Sequence, residues 1–265
     1  MNSVSRSKLT DIIGDFPYRI TLAGGWIDQP FCSRLNPTPP GSVCVASIEP
    51  NFFWMERSGL ATGTRKVALG MWGRLPGGDL PKRVEQLYQA ENAGRNDPSG
   101  SQDMIGLLYP GISRLDYDFA HRGGVFPRHI ENTTAAEPAR WLESVLNILP
   151  VAPRPPGYNP LEVKRLEHVD LISRLGRTGQ ICYEGILARD VCALGAAMTE
   201  TMRCWETLLP NTFTHSTITM DLLSLLKYYQ GLYPGACYSS CGGGYLYIAS
   251  HEPVPGAHRV KIRTA

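Results

Sequence analysis

FPYRITLAGGWIDQP, residues 16–30, begins with the alternation of a β-strand and ends in a glycine pair. Apolar and polar residues take turns through FPYRITLA, β-forming side chains are frequent, and Gly24-Gly25 then turns the chain. Glycine at such a junction accepts positive φ and lets the backbone come close to a ligand. Two more glycine-bearing turns stand at junctions of predicted elements: SGLATGT at 58–64 and SSCGGG at 239–244. Each alone is weak evidence, so their order along the chain carries the argument.

Between and after these turns the pattern changes character. GSVCVASIEPNFFWMER (41–57) is a second β-like run that Pro50 ends or divides. TRKVALGMWGRL, from Thr64, reads as a short helix broken by PGGD at 76–79. PKRVEQLYQAENAG then has Val84, Leu87, Tyr88 and Glu91 on one helical face, with Pro81 at its start. Glu91 thus stands where an apolar residue is expected. NILPVAPRPPGYNP (147–160) reads as a loop and as the domain boundary. Helical patterns follow in LEVKRLEHVDLISRLGR, YEGILARDVCALGAAMTETMRCWETLL and TMDLLSLLKYY, and two β-like runs, GACYSSCGGGYLYIAS and HRVKIRT, close the chain. The expectation is an α+β protein of two domains, 1–146 and 147–265.

Composition narrows the function classes. With 43% hydrophobic and 19% charged residues over 265 positions, the chain has the makings of a folded core. A net charge of +2 with both signs interspersed offers no basic face, so nucleic acid and membrane surfaces are not expected partners. No apolar run approaches the roughly 20 residues of a membrane span, and MNSVSRSKLTDIIGDF lacks the apolar segment of a signal peptide. A cytoplasmic location is the expectation. Seven cysteines, an odd number without CxxC pairs, indicate neither a disulfide framework nor a zinc ribbon. Cys237 and Cys241 therefore read as buried thiols flanking a turn.

SGLATGTRK puts glycine, hydroxyl and basic residues directly before a helical run, as a phosphate cradle requires. It matches neither a Walker A loop nor a GxGxxG fingerprint. Read as isolated residues, Asp103 in SQD is either a helix N-cap or a base, Glu91 a solvated helix residue or a ligand, and Trp26 a packing or a sugar-stacking ring.

The order of the three turns, with ENAGRNDPSGSQD (91–103) between the second and third, resembles the GHMP family of small-molecule kinases, closest to its fucokinase and heptose-phosphate kinase branch. RITLAGGWIDQP (19–30) is similar to that family's first motif, R-x-x-x-x-G-G-x-x-D-x-P. RSGLATGT (57–64) stands for G-S-G-L-G-S-S-S, and SSCGGGYLYI (239–248) for G-A-G-G-G-G-F. Glu91 and the SQD turn stand for the family's helix glutamate and K-Q-D. The resemblance implies a two-domain GHMP-kinase-like fold, with a shortened N-terminal β-rich lobe that binds nucleotide and phosphate and a ferredoxin-like C-terminal domain on the substrate side.

It also implies ATP and Mg2+ as cofactors and a monosaccharide or sugar phosphate as substrate, phosphorylated at the anomeric hydroxyl. Asp103 matches the catalytic aspartate and Arg19 its partner. Ser58, Gly59, Leu60, Ala61, Thr62, Gly63 and Thr64, with Arg65 and Lys66 behind them, match the nucleotide phosphate loop. Glu91, with Thr62 or Thr64, matches the metal site. Gly24, Gly25, Trp26 and Asp28, together with Ser239, Ser240, Gly242, Gly243 and Gly244, match the substrate side. Three departures stand out. Only residues 29–57 separate the first two motifs, Ala61 and Gly63 replace glycine and serine, and Ser101 replaces the lysine of K-Q-D, a lost cation for which Arg65, Lys66 or Arg95 would compensate. The alternative readings are a catalytically silent protein that binds a sugar or a partner, and a kinase of a non-sugar alcohol.

Overall fold

A computed structural model describes residues 15–52, 54–96 and 98–265; the signal-peptide reading rests mainly on residues outside these. β1 (Tyr18–Ala23) runs into the first glycine turn, and the single helical turn α1 (Pro30–Ser33) leads to β2 (Gly41–Ile48), which stops before Pro50. Three helices follow: α2 (Thr62–Trp72), α3 (Leu80–Asn92) and α4 (Gln102–Leu108). β3 (Ile112–Tyr117) and β4 (His129–Thr133) complete an antiparallel sheet of order β1-β2-β3-β4. α5 (Ala136–Val145) passes directly into β5 (Leu146–Ala152). After α6 (Val169–Ala188), α7 (Val191–Leu208) and α8 (Leu222–Leu232), β6 (Gly235–Ser240) and β7 (Gly243–Ala249) join β5 in a second antiparallel sheet of order β5-β7-β6.

Every residue of β2 is buried, because α4 and α6 both pack on this inner strand. Its sequence GSVCVASI is accordingly small and apolar on both faces. Gly179 allows α6 to lie almost on the strand: a Cβ there would sit 2.1 Å from the Ser42 carbonyl oxygen. α6 and α7 form a helical pair, and α7 and α8 cover β6. One apolar core runs through both sheets.

α3 forms as its sequence predicts. Asp79 accepts a hydrogen bond from the Lys82 amide at 3.2 Å, Pro81 occupies the first turn, and Val84 and Leu87 are buried. Four expectations need correction. The segment taken as a loop at 147–160 is a strand as far as Ala152; Pro150 is tolerated because β5 is an edge strand that gives up one donor. The helical pattern from Leu161 does not become helix until Val169. Leu161 instead turns back onto Asn159 Oδ1 at 3.0 Å, and the Arg165 amide is drawn to the Leu208 carbonyl at 2.9 Å. The long pattern from Tyr183 to Leu209 breaks into two helices at Arg189, which takes a left-handed conformation, and Asp190 caps α7 by accepting from the Cys192 and Ala193 amides. HRVKIRT contributes isolated bridges, His258 to Ile148 and Ile262 to Ile48, rather than a strand.

Candidate active site

The second and third glycine turns, nearly two hundred residues apart in sequence, press against each other. Gly59 has φ +84°, and a Cβ on it would lie 2.2 Å from Ser240 Cβ and 2.4 Å from the Ser239 carbonyl oxygen. Ser239 Oγ hydrogen-bonds the Ser58 carbonyl and accepts from the Tyr245 amide at 2.9 Å. Any larger residue at 59 would force these turns apart. The first turn closes the third side, and a cleft of about 570 Å³ opens between them.

Arg19, on β1, is buried and holds the centre of this cleft. Its guanidinium is ion-paired with Asp103 and hydrogen-bonded to the Thr21 hydroxyl, and Nη1 donates to the Gly59 carbonyl at 3.3 Å. Gly106 makes room for the Arg19 stem: a Cβ there would meet Cγ at 2.1 Å. Asp103 lies in the first turn of α4, retains some exposure to the cleft, and its Oδ2 accepts from the Thr64 hydroxyl at 3.5 Å. Asp103 caps no helix here; the position before α4 is Ser101, whose buried hydroxyl lies 3.3 Å from Tyr117 Oη.

Thr64 belongs to the first turn of α2, whose N-terminus opens onto the same cleft. Ala61, in the left-handed region at φ 55°, starts this helix without a side-chain cap. The first amides of α2 are therefore free to meet an anion, and the helix dipole favours one. Glu91 faces this end from α3. Its Oε2 is buried without a hydrogen-bond partner among the described residues, and Oε1 lies 3.9 Å from Arg95. Burial raises the pKa of Glu91, the charge of Asp103 raises it further, and the Thr64 hydroxyl and Arg95 act in the other direction. A buried carboxylate oxygen lacking a partner beside a hydroxyl fits a magnesium ion, which takes a few oxygen ligands from protein and the rest from phosphates and water.

The other half of the cleft is built around Asp28, which is fully buried. Its Oδ1 accepts from Gln102 Nε2 at 2.8 Å, while Oδ2 lies against Gly100 with no hydrogen-bond partner among the described residues. Desolvation pushes its pKa up to about 7, with Asp103 adding to the rise and Arg19 opposing it. Trp26 lines this half with φ 80°, and its Nε1 donates to Cys241 Sγ at 3.0 Å. Trp205, from α7, donates to the Gly25 carbonyl at 3.0 Å and forms an apolar wall with Tyr158 and Leu161.

Most residues singled out in the sequence meet here, but several stand back from the cleft surface. Ser58 and Leu60 are buried beneath the loop. Arg65 turns away, donating to the Phe16 carbonyl at 3.0 and 3.1 Å and covering the Tyr18 ring at 4.3 Å. Lys66 reaches the rim and is paired with Glu56 at 2.7 Å. Gly24 packs against the Ser42 carbonyl, and its amide donates to Thr201 Oγ1 at 3.1 Å. Gly242, Gly243 and Gly244 lie behind Ser239, Ser240 and Cys241, which do line the cleft. Cys237 is buried elsewhere, its thiol directed to the Leu22 carbonyl. Sequence reasoning missed Thr21, Gln102, Arg154, Tyr158 and Trp205 in the lining. Gln102 and Thr21 had a signal, Gln102 adjacent to Asp103 and Thr21 two residues from Arg19 on β1; the others are brought in by tertiary packing alone.

No protein-family model matches this chain, and no curated protein matches its sequence. Solved structures do. A D-glycero-D-manno-heptose 1-phosphate kinase from Bacteriodes thetaiotaomicron superposes with a TM-score of 0.58 at 12% identity, covering 94% of this chain and 96% of that one. The neighbours are GHMP-family kinases. Mevalonate kinase from Methanococcus jannaschii gives 0.56 at 10% identity, covering 90% of each chain. Galactokinase from Lactococcus lactis, complexed with galactose, gives 0.54 at 11% identity over 92% of this chain and 89% of that one. The chain thus shares its mixed α/β fold with GHMP kinases. No helix among the described residues is long and apolar enough to cross a membrane.

Proposed function

We propose that this chain is an ATP-dependent small-molecule kinase that phosphorylates a monosaccharide or sugar phosphate at its anomeric hydroxyl. The observation that carries the reading is the position of Asp103: ion-paired to buried Arg19, within 3.5 Å of Thr64 at an uncapped helix N-terminus, and in the same cleft as buried Asp28. Phosphoryl transfer asks for positioning, charge neutralisation and one base near the nucleophile, and this cleft supplies each.

In this reading Asp103 takes or orients the proton of the attacking hydroxyl, and Arg19 fixes its carboxylate. The amides at the start of α2, from Thr62 to Thr64, receive the nucleotide phosphates. Glu91 and the Thr64 hydroxyl hold Mg2+, which when bound neutralises charge on the phosphate oxygens. Asp28, oriented by Gln102, accepts from acceptor hydroxyls. The Trp26 and Trp205 rings and Leu161 offer the apolar contact that a sugar face needs. Residues 1–146 carry the nucleotide side, and 147–265 contribute the substrate-side wall.

A Mg-ATP turnover assay over a panel of hexoses and heptoses tests this, with Asp103→Asn as control. Equal turnover by the control removes Asp103 from the mechanism. A non-sugar alcohol is the second reading, favoured by the likeness to mevalonate kinase; turnover of polyols or hydroxy acids with none of the sugars selects it.

A further inference from the structure

Besides Arg19, the cleft is lined by the basic residues Arg57, Lys66, Arg95 and Arg154. Two of them already face carboxylates: Lys66 pairs with Glu56 at 2.7 Å, and Arg95 lies 3.9 Å from Glu91. Arg57 is exposed and spends Nη2 on the Pro155 carbonyl at 2.8 Å. Arg154 is different. Its Nε donates to Ser240 Oγ at 2.5 Å and its backbone amide to the Arg57 carbonyl at 3.0 Å. Among the described residues no carboxylate stands within ion-pair distance of it, and its two terminal nitrogens make no hydrogen bond.

The anchoring serine is the one that packs on Gly59. Arg154 is therefore fixed over the joint between the second and third turns, facing a concave space. A guanidinium held by Nε and left open at its outer edge presents two parallel donors, the geometry that suits two oxygens of one phosphate. A cation without a counter-charge in a partly desolvated cleft also strengthens its attraction for an anion.

Other residues at or beside the family's motifs do not fill this place. Ser101, where the family resemblance has a lysine, is fully buried against Tyr117. Arg65 is turned to Phe16 and Tyr18, and Lys66 is paired at the rim.

We propose that Arg154 is a phosphate-binding residue, with its side-chain fork forming an anion subsite between the second and third glycine turns. Which phosphate it holds, the terminal one of the nucleotide or one carried by the acceptor, rests on the kinase reading. Its affinity for phosphate does not.

Inorganic phosphate titrated calorimetrically into the full chain, without nucleotide and at low salt, tests the subsite. Arg154→Gln is expected to bind it at least about tenfold more weakly than the unaltered chain, the loss of one charge-assisted contact, with Arg154→Lys intermediate. Titrations with ADP and with the non-hydrolysable AMP-PNP then assign the source. A loss in Arg154→Gln confined to AMP-PNP gives the site to the nucleotide's terminal phosphate. Unchanged affinity for both nucleotides, with phosphate binding on top of saturating AMP-PNP only when Arg154 is present, gives it to the acceptor. Equal phosphate affinity of the unaltered chain and a normally folded Arg154→Gln, or binding by neither, overturns the proposal whether or not the chain turns over ATP. Arg154-dependent phosphate binding in a chain without phosphotransfer activity supports the subsite and removes the kinase reading instead.

Discussion

Gln102 ties the Asp28 carboxyl to the turn that carries Asp103: its Nε2 donates to Asp28 Oδ1 at 2.8 Å, and its Oε1 accepts from the Thr21 hydroxyl at 3.2 Å. Thr21 is in turn bonded to Arg19, and Arg19 to Asp103. Asp28 and Asp103 are thus joined through one amide, one hydroxyl and one guanidinium. Gln102→Leu removes both hydrogen bonds of the amide while keeping its bulk. The acceptor KM is expected to rise about tenfold or more, because Asp28 loses the donor that orients it, while the nucleotide KM changes less than about twofold. Steady-state kinetics on both substrates checks this; equal effects on both would mean that Gln102 supports the whole cleft rather than Asp28.

Asp28 sets a pH dependence of stability. Its carboxyl is pushed up to about 7, first by desolvation and then by Asp103, from an ordinary value of 3.8. The folded chain therefore holds this proton more tightly than the unfolded one. The stabilisation is fully present below pH 3.8 and is lost as pH rises toward 7. Asp28→Asn has no such proton to lose. Relative to the unaltered chain, its unfolding free energy should gain between pH 5 and pH 8 by an amount on the order of a few kcal/mol, since each tenfold change in proton affinity is worth about 1.4 kcal/mol, and its melting temperature should rise accordingly. Thermal scans at the two pH values decide it, and a constant difference between the proteins at both would contradict the burial argument.

The glycine turns were legible because a backbone that must approach another backbone leaves only one residue type possible. Arg19, Glu91 and Asp103 were legible from motif order, and Glu91 also from its place on an apolar helix face. Arg65 misled: it follows Thr64 directly, but a helix turns about 100° per residue, and that rotation carries Arg65 to Phe16 and Tyr18 instead of the cleft. β5 was hidden by Pro150, whose cost disappears at a sheet edge. Arg154 and Trp205 had no local signal. Arg154 is placed by hydrogen bonds to residues 57 and 240, and Trp205 by one to residue 25, contacts that exist only once both sheets are packed.

Gly59 and Gly63 belong to the same loop but answer to different constraints. Gly59 has φ +84° and no room for a Cβ, whereas a Cβ at Gly63 meets nothing within 4 Å. Gly59→Ala is expected to cost about 2–4 kcal/mol, combining left-handed strain with the collision against Ser239 and Ser240. Gly63→Ala, inside α2, should leave stability unchanged or raise it by up to about 1 kcal/mol. Urea unfolding of the two variants separates them; similar midpoints would show that the turns do not meet as described.

Glu91 gives the metal reading its own test, separate from turnover. Glu91 Oε2, buried with no hydrogen-bond partner among the described residues, destabilises the chain until a cation reaches it, so Glu91→Gln should raise the melting temperature in the absence of Mg2+ and remove the further rise that Mg2+ with ADP produces. Because burial and Asp103 raise the pKa of Glu91, the Mg2+ response of the unaltered chain should begin to fade, as pH is lowered, above the ordinary carboxylate range. In Glu91→Gln that pH dependence should be absent. If the variant keeps the full stabilisation by Mg2+ and ADP, the ion is held elsewhere, and the unpartnered Oε2 needs a different explanation.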